Sequence, residues 1–97
     1  MTKGTTSSGF EFEYDENRLD DMRFVDILAV VADDKASLLE RVRGLSQLID
    51  MLLGSELKER LYDHIGSRFG GRVPREEAET ALTEIMAAAG KDAEKNS

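Results

Sequence analysis

The sequence contains no cysteine, one histidine and one proline among its 97 residues. Without cysteine there is no disulfide framework and no thiolate metal site, and nothing points to an oxidising compartment. The lone histidine, His64 in Tyr62-Asp63-His64-Ile65, would have only carboxylates as fellow zinc ligands. It reads instead as a solvent-facing helix residue. Long apolar runs are missing too: the longest, Ile27–Ala32, is far short of a membrane span. The opening MTKGTTSSGF has no apolar stretch behind its lysine, so no secretory signal is expected.

Catalytic patterns are equally scarce. There is no Gly-x-Ser-x-Gly, and Gly70-Gly71-Arg72 lacks the lysine and flanking strand of a phosphate loop. The acid pairs Asp20-Asp21, Asp33-Asp34 and Glu76-Glu77 are adjacent residues. On a helix their side chains diverge by about 100°, a poor arrangement for paired acid–base work. Each pair sits near a helix start, where the dipole accounts for it. No catalytic residue, cofactor or metal is therefore expected, and the chain reads as a binding protein and not an enzyme.

What is present is charge and helical pattern. The composition is 40% hydrophobic and 34% charged, too apolar for a disordered chain, and the length allows one domain. The net charge is −7, and it is uneven. Residues 1–34 carry nine acids against three bases, a net of −6, which would repel a polyanion. The bases farther on, among them Arg41, Arg43, Lys58 and Arg60, are interleaved with acids. Neither nucleic acid nor membrane is expected as a partner.

Residues 1–8 hold Thr, Ser, Gly and Lys and read as a flexible arm. Phe10, Phe12 and Tyr14 then alternate with Glu11 and Glu13, the period of a strand. No second strand of that quality follows. The strand would pair with a second subunit, pair with a partner, or lie over the helices. Four helical segments come next, over about 18–32, 35–53, 56–68 and 74–89, within a single domain spanning 9–90. Expected caps are Asp15 or Asn17, Asp34 and Ser55. Expected stops are Gly54, Gly70-Gly71 and Gly90. Pro74 marks the start of the fourth segment. Residues 91–97 read as a flexible tail. The predicted class is mainly α: a compact four-helix unit with a short N-terminal extended strand and flexible ends. The candidate protein-binding residues are Phe10, Phe12 and Tyr14 of the strand, with Met22 and Val25 among the apolar positions of the first two helices.

Two stretches carry a resemblance. Asp20-Asp21-Met22-Arg23-Phe24-Val25-Asp26-Ile27-Leu28-Ala29 is similar to an acidic "Asp-Asp-aromatic-x-hydrophobic-x-x-Leu" opening. Leu52-Leu53-Gly54-Ser55-Glu56-Leu57-Lys58-Glu59-Arg60-Leu61 then leads to Gly70-Gly71-Arg72-Val73-Pro74, and Thr83-Glu84-Ile85-Met86 precedes a lysine-rich Asn-Ser end. In this order they resemble the tail assembly chaperones of long-tailed bacteriophages and prophages. Glu56 and Leu57 stand where that family often has glutamine and tyrosine, and Met22 where an aromatic is common.

The resemblance implies a protein that binds and solubilises the tape-measure protein during tail morphogenesis. It also implies self-association into a homo-oligomer and residence in the cytoplasm of the bacterial host, outside the mature virion. A longer form made by a −1 ribosomal slip would reach the tail-tube protein. Glu94-Lys95-Asn96 can be encoded GAA AAA AAC, which contains a slippery heptamer in the required register. The other reading open to the residues is a small helical adaptor or regulator that binds one protein.

Overall fold

Alternation between buried and exposed residues begins at the second residue of the chain. The computed structural model describes residues 1–95, with side chains described through Gly90. The order is β1 (Thr2–Thr5), β2 (Glu11–Tyr14), a 3-10 turn (Glu16–Asp20), α1 (Met22–Ala32), α2 (Leu38–Leu53), α3 (Ser55–Arg68) and α4 (Arg75–Lys95). The described residues hold four α-helices and the chain is 69% helical, the class read from the sequence.

The flexible arm expected over residues 1–8 is instead a strand. β1 pairs antiparallel with β2, setting Thr2 opposite Tyr14 and Gly4 opposite Phe12. The partner of the aromatic strand thus precedes it in the same chain. Thr2, Gly4 and Thr6 face inward with the aromatics, while Lys3 and Thr5 face solvent, and threonine suits a pleated backbone. Ser7-Ser8-Gly9 makes the turn, with Gly9 at φ +97°. Thr6 and Phe10 close it: the Thr6 N–H donates to the Phe10 carbonyl at 2.9 Å, and the Phe10 N–H donates to Thr6 Oγ1 at 3.1 Å. Gly4 is required here, because a methyl group on it would come within 2.7 Å of the Phe12 ring.

Short polar side chains divide the helices differently from the periodicity. The segment expected over 18–32 is split, since Asp15 caps the 3-10 turn (Asn17 N–H, 3.0 Å) and Asp21 starts α1 afresh (Arg23 N–H, 2.9 Å). Asp34 does not cap α2. The Asp33 carboxylate takes the Lys35 N–H at 2.9 Å instead, which holds residues 33–36 in a turn, and Ser37 caps α2 through the Glu40 N–H at 3.1 Å. Ser55 is already helical. Gly54, at φ +84°, ends α2 and begins α3 with no side-chain cap. Pro74 stands just before α4, its carbonyl accepting the Glu77 and Ala78 N–H groups at 3.1 and 3.2 Å. α4 continues through Gly90 to Lys95, so the tail expected from residue 91 is helical as far as it is described. Asn96 and Ser97 lie outside the described residues.

The core lies where the hairpin's aromatic face meets α2, α3 and α4. Phe10, Phe12 and Tyr14 are buried there against Leu48, Ile49, Leu52, Leu61, Ile65, Leu82 and Ile85. The Tyr14 hydroxyl donates to the Ile85 carbonyl at 2.6 Å, fastening the hairpin to α4. Charged side chains tie the helix ends. Arg18 Nη1 donates to the Leu52 carbonyl at 2.9 Å, satisfying a terminal carbonyl of α2. Lys58 reaches back from α3 to the Ser46 hydroxyl at 2.9 Å. α1 folds back on α2 at Gly44, where an added methyl would meet Val31 Cγ2 at 2.6 Å and Ile27 Cγ2 at 3.4 Å.

Two predictions follow from these contacts. In Gly44→Ala, overpacking of about 1–3 kcal/mol opposes a helix-propensity gain of about 1 kcal/mol. Because Val31 is short and stiff, overpacking wins and the variant unfolds at lower urea concentration. Adding Val31→Ala to Gly44→Ala recovers more stability than additivity allows. At Glu16, its own backbone N–H, the Thr2 hydroxyl and the N-terminal ammonium hold the carboxyl below the usual glutamate range. A depressed carboxylate stabilises the fold above its unfolded pKa and loses that effect as pH falls through its folded one. Titration followed by NMR should therefore find Glu16 ionising below the ordinary glutamate range. Thr2→Val should raise it, and β1 amide protection should weaken as Glu16 protonates.

Candidate protein-binding surface

Nine of the 11 residues of α1 (MRFVDILAVVA) are apolar. A helix apolar on every side normally lies inside a protein, yet α1 packs chiefly on α2 alone. At 100° per residue, Phe24, Ile27, Leu28 and Val31 fall on one side, and these are its buried and half-buried residues. Met22, Val25, Ala29 and Ala32, spaced three, four and three apart, fall on the opposite side, and all four are exposed. Met22 is 65% exposed and Val25 37%.

α2 extends this surface. Its core stripe of Leu45, Ile49 and Leu52 continues N-terminally through Val42 and Leu38, following the helical period. The stripe is longer than the core beneath it. Leu38 and Leu39 are 61% and 66% exposed, and Val42 and Val30 are exposed beside them. The α1–α2 hairpin therefore carries an outer apolar stripe on α1 and an apolar tip. A small hollow of about 200 Å³ behind it, lined by apolar residues such as Leu28, Val31 and Leu82 together with Arg41, Glu79 and Thr83, lies between the hairpin and α4. Monomeric proteins expose single apolar residues commonly, but seven large ones exposed in one chain, six of them on one helical hairpin, point to an interaction surface.

The rim of this surface is acidic. Asp20, Asp21, Asp26, Asp33 and Asp34 are all exposed. Among the described residues none of the five forms a salt bridge. Arg23 is the one base on α1. The Arg41 guanidinium is turned inward, donating to the Val31 carbonyl at 3.1 Å.

The residues singled out from the sequence divide in two. Phe10, Phe12 and Tyr14 are 6%, 6% and 2% exposed and form part of the chain's own core, so they are not on the surface. The hairpin partner that makes this possible lay in the segment read as an arm. Met22 and Val25 are exposed and adjoin each other on α1. Leu38, Leu39 and Val42 are exposed on the same α1–α2 hairpin, at its other end. The signal for the leucines was present: Leu39 lies about 100° from the stripe of Leu38, Val42 and Leu45.

His64 is half-buried, with one ring nitrogen in an exposed contact to the hairpin turn. Its Nε2 lies 3.0 Å from Ser8 Oγ, and its ring is 5.6 Å from that of Phe10. The nearby Glu84 carboxylate accepts the Ser7 N–H at 3.3 Å. These groups hold the hairpin turn against α3 and α4. Among the described residues no group of three or more His, Asp or Glu side chains is placed to hold a metal ion. No described helix is long and apolar enough to cross a membrane. No protein family, characterised protein or solved structure was found to match the chain.

Substitution separates the two groups of residues. Phe12→Ala should cost about 3–5 kcal/mol in urea unfolding, since it empties a core position. Met22→Ser should stay within about 0.5 kcal/mol of the parent.

Proposed function

We propose that this protein binds other proteins without catalysis, through the outer apolar surface of the α1–α2 hairpin. One observation carries the reading: Met22, Val25, Leu38, Leu39 and Val42 are large apolar side chains left exposed on one helical hairpin. Burying a leucine or methionine side chain is worth about 1.5–3 kcal/mol, so a partner that covers several of them gains substantial binding energy.

Within that class, the sequence resemblance supports a phage tail assembly chaperone. Its client is the tape-measure protein, a long helical chain that needs its apolar faces covered until the tail tube forms around it. Several copies set side by side along one client chain give avidity without a large contact for each copy. A longer frameshifted form adds contact with the tail-tube protein.

Co-expression with the tape-measure protein of the same genome tests this. The parent chain is expected to hold the tape-measure protein in the soluble fraction and to co-purify with it. A Met22→Ser, Leu38→Ser, Leu39→Ser variant is expected to lose most of that effect, with its helical circular dichroism unchanged. Binding of a single copy to a different helical partner, with no effect on the tape-measure protein, would identify an adaptor instead.

A further inference from the structure

We infer that the occupant of the α1–α2 surface is an amphipathic helix whose apolar face is flanked by lysine and arginine, and not the same hairpin of a second copy. The inference rests on the protein-binding reading of this surface and adds the chemistry of the partner.

The shape of the apolar stripe selects a helix. Met22, Val25, Ala29 and Ala32 follow a three-four-three spacing along one line of α1, the pattern that meshes with a second helix. Ala29 and Ala32 are small and let another backbone come close, while Met22 at one end is an adaptable contact. Leu38 and Leu39 bound the stripe at the hairpin tip. A helix laid in such a frame buries its own residues at the same spacing.

The charge distribution selects the sign of that helix's flanks. Around α1 and the turn after it, five exposed carboxylates stand against Arg23 and Lys35, while exposed Glu40 and Arg43 offset each other on α2. Asp33 and Asp34 stand at the C-terminal end of α1, where the helix dipole is negative and a carboxylate is disfavoured. A cation from a partner relieves both effects. A second copy does the reverse. In an antiparallel pair of α1 stripes, Asp26 of each copy falls on the same margin near the midpoint. In any pairing the two copies bring ten exposed aspartates to the margins of one interface, against one Arg23 and one Lys35 from each, so like charges outnumber opposite ones there.

The test uses the full chain and two labelled synthetic helices. The two share one leucine–alanine apolar face and differ only in flanks, lysine and arginine in one, glutamate in the other. Fluorescence anisotropy reads their affinities at about 50 mM and about 500 mM salt. The basic helix is expected to bind about tenfold or more tightly at low salt, as several exposed ion pairs allow. That preference should shrink at high salt. It should largely vanish in Asp26→Asn, Asp33→Asn, Asp34→Asn, whose asparagines keep the turn's hydrogen-bond acceptor, with folding checked by circular dichroism. Equal affinity for the two helices would overturn the charge inference and leave the binding surface standing. Binding of neither helix, by a chain that sedimentation shows to be dimeric and that Met22→Ser turns monomeric, would overturn it in favour of a second copy. Binding of neither by a monomeric chain would overturn both the inference and the reading beneath it.

Discussion

The docking of the β1–β2 hairpin onto the helices is the contact on which the rest of this fold depends. A two-stranded hairpin alone is marginal in water, and a chain of this length has little core to spare. Each problem answers the other. The hairpin contributes three of the chain's six aromatic side chains to the core. In return the helices cover its aromatic face and bind its Tyr14 hydroxyl at the Ile85 carbonyl. With Phe10, Phe12 and Tyr14 on one side and α2, α3 and α4 on the other, the unit closes around side chains drawn from both ends of the sequence.

Because that core takes up only one side of α1, the rest of the helix is left outside. α1 adheres to α2 through a close approach at Gly44 and contributes Phe24 to the interior. Its far side gains nothing from the fold. An outward stripe of Met22, Val25, Ala29 and Ala32 on a helix so apolar is a solubility liability in a monomer. An acidic rim of this kind sets like charges facing one another when two copies approach through it, and the proposed partner is one whose cations would meet those carboxylates.

Much of the helical architecture was legible locally. The 3.6-residue period located all four helices, Gly54 and Gly70-Gly71 ended α2 and α3 as expected, and the alternation Phe10, Phe12, Tyr14 marked a strand. Errors arose where short polar side chains compete with helix for backbone hydrogen bonds. Asp21 and Asp33 each claim an N–H two residues ahead, which divides the first segment and delays the start of α2. The segment 1–8 carries no strand signal of its own, because its inward residues are threonine and glycine, which carry little hydropathy. What makes it a strand is the aromatic strand opposite.

The sequence by itself determined the mainly helical class, the uneven charge, and the strand and helix periods, because these depend on residues within one or two turns of each other. It also carried the excess of apolar residues in α1. Only the tertiary structure decided which of those residues are used up in folding. Phe10, Phe12 and Tyr14 look as free as Met22 and Val25 in a linear reading. The first group is buried because β1 pairs with β2 and α4 lies across them, while the second stays exposed because α2 covers one side of α1 and nothing described covers the other. Burial depends on contacts between distant parts of the chain, and no local pattern encodes it.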